Sequence, residues 1–221
     1  MIKIVIDHEL SLKLPNLSLG IIQSQVKVSE YNENLWREIN QHIAEISNKY
    51  TLESLCEIKN IEALKNSYKI IGKEPSRYRG SSEALLRRII QGKGLYKINT
   101  VVDINNLISL ESLHSVGSYD LDLIKQPMIF RIGKPNEVYK GIGKDMINIA
   151  ELPVFADVIG PFGSPTSDSE RAMITKNTKN LMMIIISFNG KNSLEKHLSR
   201  ALELLVHYAE ADKNQIKTLI I

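Results

Sequence analysis

The sequence predicts a mixed α/β fold, helix-rich in its first half and strand-rich in its second. Three observations carry that reading. Apolar residues recur at helical spacing from about Glu30 to Tyr50 and again from about Ile61 to Ile71. From Pro127 onward, short runs of β-branched and aromatic residues are separated by Gly and Pro. An amphipathic run follows from Ser193 to about Ala211. With 221 residues, 43% of them hydrophobic, the chain can bury a sizeable core, and its length suits one large domain or two small ones.

The elements follow in order. Lys3 to Ile6 and Leu17 to Val28 read as strands. Ser29 is positioned to cap the first long helix, which places Leu35, Ile39, Ile43 and Ile46 on one face. Thr51 begins a shorter turn of helix, in which Cys56 reads as a small buried residue. Gly72 stops the helix carrying Ile61, Leu64, Tyr68 and Ile71. Lys73 to Gly80 is a loop, and Ser81 or Ser82 caps a helix from Glu83 to Gln91 that Gly92 ends. Thr100 to Leu113 fits either helix or strand on pattern, and its central Asp and Asn favour helix. Met128–Ile132, Glu137–Tyr139, Val154–Val158 and Lys179–Phe188 are the expected strands of the second half. Pro161 to Ser169 is the one long polar loop, the kind of segment on which sites are built. In the last helix Leu194, Leu198, Ala201, Leu205 and Tyr208 face inward.

Charge is the other informative feature. Lys65 to Lys97 holds nine basic and two acidic residues, a local excess of +7 in a chain whose net charge is only +3. Tyr68, Tyr78 and Tyr96 lie among those charges. Lys and Arg neutralise phosphates and Tyr stacks on bases, so the segment reads as a face for a polyanion. Its expected contacts are Lys73, Arg77, Tyr78, Arg79, Arg87, Arg88, Lys93 and Lys97. Arg77 and Arg79 either meet phosphate or a ligand carboxylate, or form salt bridges in a solvated loop. Arg87 and Arg88 point about 100° apart on a helix, so one of the two is expected to pair internally.

Several chemistries find no support. No apolar run approaches the roughly 20 residues of a membrane helix. The run from Met1 to Asp7 is too short for a signal peptide, so a cytoplasmic protein without membrane contact is expected. Gly141-Ile-Gly143-Lys144 lacks the spacing of a phosphate loop, and Gly92-Lys-Gly94 follows a helix rather than a strand. The five histidines are scattered, and His197 and His207 stand ten apart, which is not metal-ligand spacing. No cofactor, no metal and no catalytic serine are expected, and no feature bears on oligomerisation.

One block is more specific. It runs Tyr68-Lys-Ile-Ile-Gly72-Lys-Glu-Pro75-Ser-Arg77-Tyr-Arg79, then Ser82-Glu83-Ala-Leu85-Leu-Arg87-Arg88. It continues Ile98-Asn-Thr-Val-Val102-Asp103-Ile-Asn-Asn106, Gly117-Ser-Tyr119-Asp120-Leu-Asp122 and Phe130-Arg131, with later matches at Glu151, Asp157, Ser169-Glu-Arg171, Thr175 and Thr178. This resembles the B3/B4 domain of the bacterial phenylalanyl-tRNA synthetase beta chain, and more closely the freestanding proteins made of that domain. The resemblance covers roughly residues 60 to 190, flanked by a strand-helix part before and a helix at about 191–212. It implies a three-layer α/β domain with an unusual β-sandwich, N-terminal helices and a C-terminal helix. It also implies tRNA, or another RNA, as partner, and hydrolysis of tyrosine wrongly joined to phenylalanine tRNA, without ligase activity.

The site residues follow from that resemblance. The pocket is expected at Gly117, Tyr119, Arg131, Ser169 and Thr175. The synthetase pattern usually has His where this chain has Gly117, and His114 stands three positions earlier. Ester hydrolysis needs an oriented water and donors at the developing oxyanion. Asn106 and Arg171 are the candidates to orient it, and Asp168 or Glu170 to polarise it. The alternative is a noncatalytic module, for RNA or an amino-acid-like ligand, that has lost this chemistry. Asp103, one helical turn from Asn106, is expected in a buried hydrogen-bonded network. Tyr119-Asp120 forms a pocket wall or a turn in which Asp120 caps a short helix.

Overall fold

A computed structural model describes residues 3–221. The elements run β1 (Ile4–Ile6), α1 (His8–Lys13), β2 (Ser18–Gln25), α2 (Glu33–Lys49), α3 (Lys59–Ile70), α4 (Ser81–Ile90) and α5 (Thr100–Ser112). They continue β3 (Ser115–Asp120), β4 (Met128–Ile132), β5 (Val138–Lys140), β6 (Met146–Asn148), β7 (Pro153–Ala156), β8 (Pro161–Gly163), β9 (Asn180–Ser187), α6 (Leu194–Tyr208) and β10 (Lys217–Ile220). One four-stranded sheet has the order β1-β4-β7-β8, with β1 parallel to β4. The other, β10-β2-β9-β3, is antiparallel throughout. β5 and β6 form a separate hairpin.

β9 explains the layering. Leu181 through Phe188 are all buried, and side chains alternate across a strand. Met182, Ile184 and Ile186 face the first sheet, where Phe130 stacks on Phe155 at 4.2 Å between centroids. Leu181, Met183 and Ile185 face α2, α5 and α6. A strand covered on both faces must be apolar on both, so its sequence is a continuous run rather than an alternation. Burial of each such side chain contributes about 1.5–3 kcal/mol. The mixed α/β class is thus realised as sheet, sheet and helix layers. A third cluster, Ile46, Leu55, Ile61, Leu86, Ile89 and Leu110, joins α2, α3, α4 and α5. On the outside of the helix layer Arg200 bridges Glu38 at 2.7 Å and Glu111 at 3.2 Å.

Local departures from the sequence reading have local causes. α2 is capped not by Ser29 but by Asn32, whose side chain accepts from Leu35 N at 3.1 Å. Ser29 instead pairs with Thr100 at the start of α5. Neither Ser81 nor Ser82 caps α4; both lie within it, Gly80 is its N-cap, and Ser81 N donates to Pro165 O at 2.7 Å. A carbonyl some 80 residues away does what a side-chain cap would have done. Cys56 is exposed, because its segment is a tight 3-10 turn that turns Leu55 inward instead. Gly117 to Asp120 belong to strand β3, paired with β9, while Asp120 also caps the short turn after it. The long polar loop begins with a strand, β8, and Ser169 bridges to Gly141.

Candidate nucleic-acid interface

Four segments converge on one place, and three of them bring six cations to it. The α3–α4 loop supplies Arg77 and Arg79. α4 supplies Arg87, Arg88 and Gln91, and the turn after it supplies Lys93. Lys144 comes from the β5–β6 turn and Thr166 from the loop after β8. With Ala84 they line a groove of about 440 Å³, and no carboxylate lines it. Lys144 and Thr166 were not singled out as contacts by the sequence. The only signals were the Gly-rich turn and the polar loop that carry them.

The groove is held in shape by cross-links rather than by its own charges. Ser81 N donates to Pro165 O, fixing the Thr166 loop to α4. Ile142 N donates to Asp168 O at 3.0 Å, fixing the Lys144 turn to the same loop. Tyr68 OH meets Thr166 Oγ1 at 2.8 Å from below. Glu83, whose side chain is 2% exposed, accepts from Arg87 Nε at 2.8 Å and pairs with Lys65 at 3.2 Å. Arg87 is thus the internally paired one of the two arginines. Arg88 lies over the exposed Tyr96 ring at 3.8 Å and donates to Lys93 O. Arg77, Arg79, Lys93 and Lys144 belong to no ion pair among the described residues. Convergent cations without counter-charges make a strongly positive, partly enclosed field.

An adjoining depression of about 380 Å³ shares Arg79 and Arg87 and adds Lys65, Lys69, Glu74 and Ser76. The basic surface therefore continues past α3. A larger depression, about 490 Å³, lies between α6 and β10, but Glu195 is its one titratable lining group. Size does not mark the site here; convergent charge does.

The remaining expected contacts fall elsewhere. Lys73 is buried, donating to Ala150 O with its ammonium 3.9 Å from the Tyr78 ring centre, and Tyr78 is half-buried against the sandwich core. Tyr68 is wholly buried. Lys97 sits over Tyr31 at 4.6 Å and Trp36 at 5.1 Å.

The expected catalytic set is not assembled. Arg171 is committed to Asp157 by two hydrogen bonds of 3.0 and 2.9 Å, and donates also to Gly160 O. Burial alone would raise the Asp157 carboxyl, but the Lys125 N–H, the Arg171 guanidinium and two further amides hold it below the usual range. Glu170 pairs with Lys140 at 3.0 Å. Arg131 grips Glu137 at 2.8 and 2.7 Å. Ser169 caps a 3-10 turn through Arg171 N, and Thr175 caps its own turn through Asn177 N. Asn106 is half-buried on α5, in the helix layer, whereas Asp168 meets Tyr119 on the sandwich side of β3. Asp103 takes Trp36 Nε1 at 2.7 Å and Ile98 N at 3.2 Å, a cross-link between α2 and α5.

At Gly117 there is no open pocket. Tyr119, 1% exposed, lies over it and over Gly163. Its hydroxyl donates to Asp168 Oδ1 at 2.8 Å, and Ser164 N donates to the same oxygen at 3.2 Å. Burial pushes the Asp168 carboxyl up to about 7, against the Tyr119 and Ser164 hydrogen bonds and the Lys144 charge that favour its ionised form. Burial likewise pulls the His114 imidazole down to about 4; His114 bonds Asn60 and Ser193 and is no substitute for an imidazole at Gly117.

The chain is similar to known proteins in three comparisons. The beta subunit of the phenylalanine–tRNA ligase of Protochlamydia amoebophila (strain UWE25) is 26% identical over 107 residues, 47% of this chain and 13% of that protein. An N-terminal fragment of the phenylalanyl-tRNA synthetase beta-subunit from Pyrococcus horikoshii aligns over 99% of this chain and 50% of its own, with a TM-score of 0.46 and 13% identity. The chain thus spans about an eighth of the curated relative and half of the solved fragment. The family model described as the B3/4 domain matches residues 63–210, about two thirds of the chain, and that span contains every residue lining the groove. By that match the chain belongs to the B3/4 domain family.

Proposed function

We propose that this chain is an RNA-binding B3/4 module that holds tRNA through the groove between α4, the β5–β6 turn and the loop after β8. One observation carries the reading: six cations from three segments converge on a single groove that no carboxylate among the described residues lines. Such a surface gains affinity by neutralising phosphates and releasing their counterions. Arg88 stacked on exposed Tyr96 adds an aromatic face at its edge.

Trans-editing of mischarged tRNA is the second reading. The Asp168 carboxyl favours it: held near 7, it suits a general base at neutral pH, and it lies within electrostatic reach of Lys144 at the groove. Against it stand the ion pairs that occupy Arg171, Glu170 and Arg131, and the missing imidazole at Gly117. Binding without hydrolysis is therefore preferred.

The test is to incubate the protein with phenylalanine tRNA charged with tyrosine, and separately with phenylalanine. Ester loss is followed beside tRNA retention at several salt concentrations. Expected are retention weakening by roughly 0.7 to 0.9 log units per phosphate contact per decade of salt, and no release. Arg79→Ala should lower that slope by about one contact. Retention indifferent to salt refutes the binding reading. Selective tyrosine release abolished by Asp168→Asn replaces it with editing.

A further inference from the structure

The groove is too small, and too charged for its size, to be only a stretch of backbone track. About 440 Å³ is the volume of a small-ligand pocket, roughly 8 Å across if compact. A strand crossing it would leave only one or two singly charged phosphodiesters inside. Six cations surround that space, and among the described residues only Arg87 has a carboxylate partner at hydrogen-bonding distance. Charge balance asks for several negative charges in the same few ångströms.

We infer that the groove takes a run of contiguous phosphates, either the 5′-triphosphate end of an RNA or a free polyphosphate. A phosphomonoester alone carries about −1.5 to −2 with three strong acceptor oxygens, and a triphosphate concentrates more charge in little more space. The donors suit that ligand. Arg77 and Arg79 offer planar forks able to engage two oxygens each, Arg88 keeps part of its fork beside its bond to Lys93 O, and Lys93 and Lys144 act as point charges from separate segments. Thr166 and Gln91 add neutral hydrogen-bonding groups. The site is also built before the ligand arrives. The Ser81–Pro165, Ile142–Asp168 and Tyr68–Thr166 bonds fix three of its four segments relative to each other. Preorganised donors avoid an ordering cost that a flexible basic tail would meet on binding. Where the phosphates belong to an RNA end, the inference rests on the RNA-binding reading; for a free polyphosphate it stands without it.

The experiment compares one oligoribonucleotide bearing a 5′-triphosphate with the same sequence bearing a 5′-hydroxyl, by fluorescence anisotropy on the full chain. Inorganic tripolyphosphate serves as competitor. Expected is at least tenfold tighter binding of the triphosphate end, displaced by tripolyphosphate and lost in Lys144→Ala and Arg77→Ala. Lys144 lies on an exposed turn and Arg77 on an exposed loop, so both variants should keep the native circular dichroism. Lys213→Ala, outside the groove, is the control. Equal affinity for both ends with no displacement overturns the inference and leaves RNA binding intact. Tripolyphosphate binding that is lost in Lys144→Ala while neither oligonucleotide binds overturns the RNA reading and assigns the groove to a free polyphosphate. Tripolyphosphate binding unchanged in both variants overturns the inference by placing the phosphates elsewhere.

Discussion

Gly117→Ala tests how the core is packed around Tyr119. A Cβ at Gly117 would stand 2.7 Å from Tyr119 Cζ and 2.9 Å from Cε2, with the hydroxyl nearer still. Ordinary carbon contacts begin near 3.5 Å, so the ring must retreat by roughly 0.7 Å. Its retreat is resisted by Phe155 and Phe162, whose rings pack edge-on against it at 5.8 and 5.0 Å between centroids. Overpacking of this kind costs about 1–3 kcal/mol. Shifting the ring also disturbs the 2.8 Å bond to Asp168, worth a further 1–2 kcal/mol or so. For a chain of this length the sum lowers Tm by about 4 to 20 °C. Thermal unfolding is measured for Gly117→Ala, Tyr119→Phe and the double variant. Removing the hydroxyl removes the closest atom and the bond it would disturb, so Gly117→Ala should cost less in the Tyr119→Phe background by about the hydrogen-bond share of 1–2 kcal/mol, while the ring carbons still clash. A Gly117→Ala Tm within about 2 °C of the parent, or a strictly additive cycle, refutes the packing argument.

Two further substitutions separate structural from chemical roles. The Asp168 carboxyl, held at about 7 in the fold against an ordinary value near 4, keeps its proton in the native state when the unfolded chain has lost it. Native protein therefore binds more protons between about pH 4 and 7, and this group's contribution to stability falls as pH rises through that window and is level above it. Asp168→Asn keeps an acceptor for Tyr119 and Ser164 but does not titrate, so its stability relative to the parent should rise from pH 4 to 7 by up to a few kcal/mol; denaturation curves that stay parallel with pH rule this out. Arg171→Ala leaves the buried Asp157 side chain with only the Lys125, Ile159 and Gly160 amides, and should cost about 1–3 kcal/mol by urea denaturation, with partial recovery in Arg171→Lys. A loss below 1 kcal/mol would show that the pair is not what Arg171 is for.

What the sequence made legible was what repeats or clusters locally. β9 is an unbroken apolar run, α2 and α6 carry their stripes at helical spacing, and the basic excess lies within 33 consecutive residues. Short strands such as β3, with Gly117 and Ser118 at its centre, carry no such pattern; pairing with β9 makes them strands. Partnership is the larger gap. Charge counts cannot tell Lys73, which ends on Ala150 O 77 residues away, from Arg79, which has no ion-pair partner among the described residues. Nor could they show that Arg171 and Arg131 each close on a carboxylate of their own. Conversely, Lys144 gains its meaning only because Ile142 docks its turn onto Asp168.

The groove and the core are therefore not independent. The segment from Ser164 to Asp168 is bound from inside by three tyrosines: Tyr119 on Asp168, Tyr139 on Ser164 and Ser167, and Tyr68 on Thr166. From outside, the same segment receives Ser81 of α4 and Ile142 of the β5–β6 turn. Every tyrosine in that set is buried, and burial moves its hydroxyl's pKa still further above neutrality, so the inner anchors are uncharged and add no anion beneath the cations. Asp168 is the one acid there, and its raised pKa makes the floor partly neutral at physiological pH as well. Apart from the Arg87–Glu83 pair, the groove stands over an uncharged floor and loses less of its field to internal counter-charge than one built wholly over ion pairs. The other cations of this fold mark the contrast: Arg131 and Arg171 are spent on carboxylates and hold loops, and Arg77, Arg79, Lys93 and Lys144 are left to meet an anion from outside.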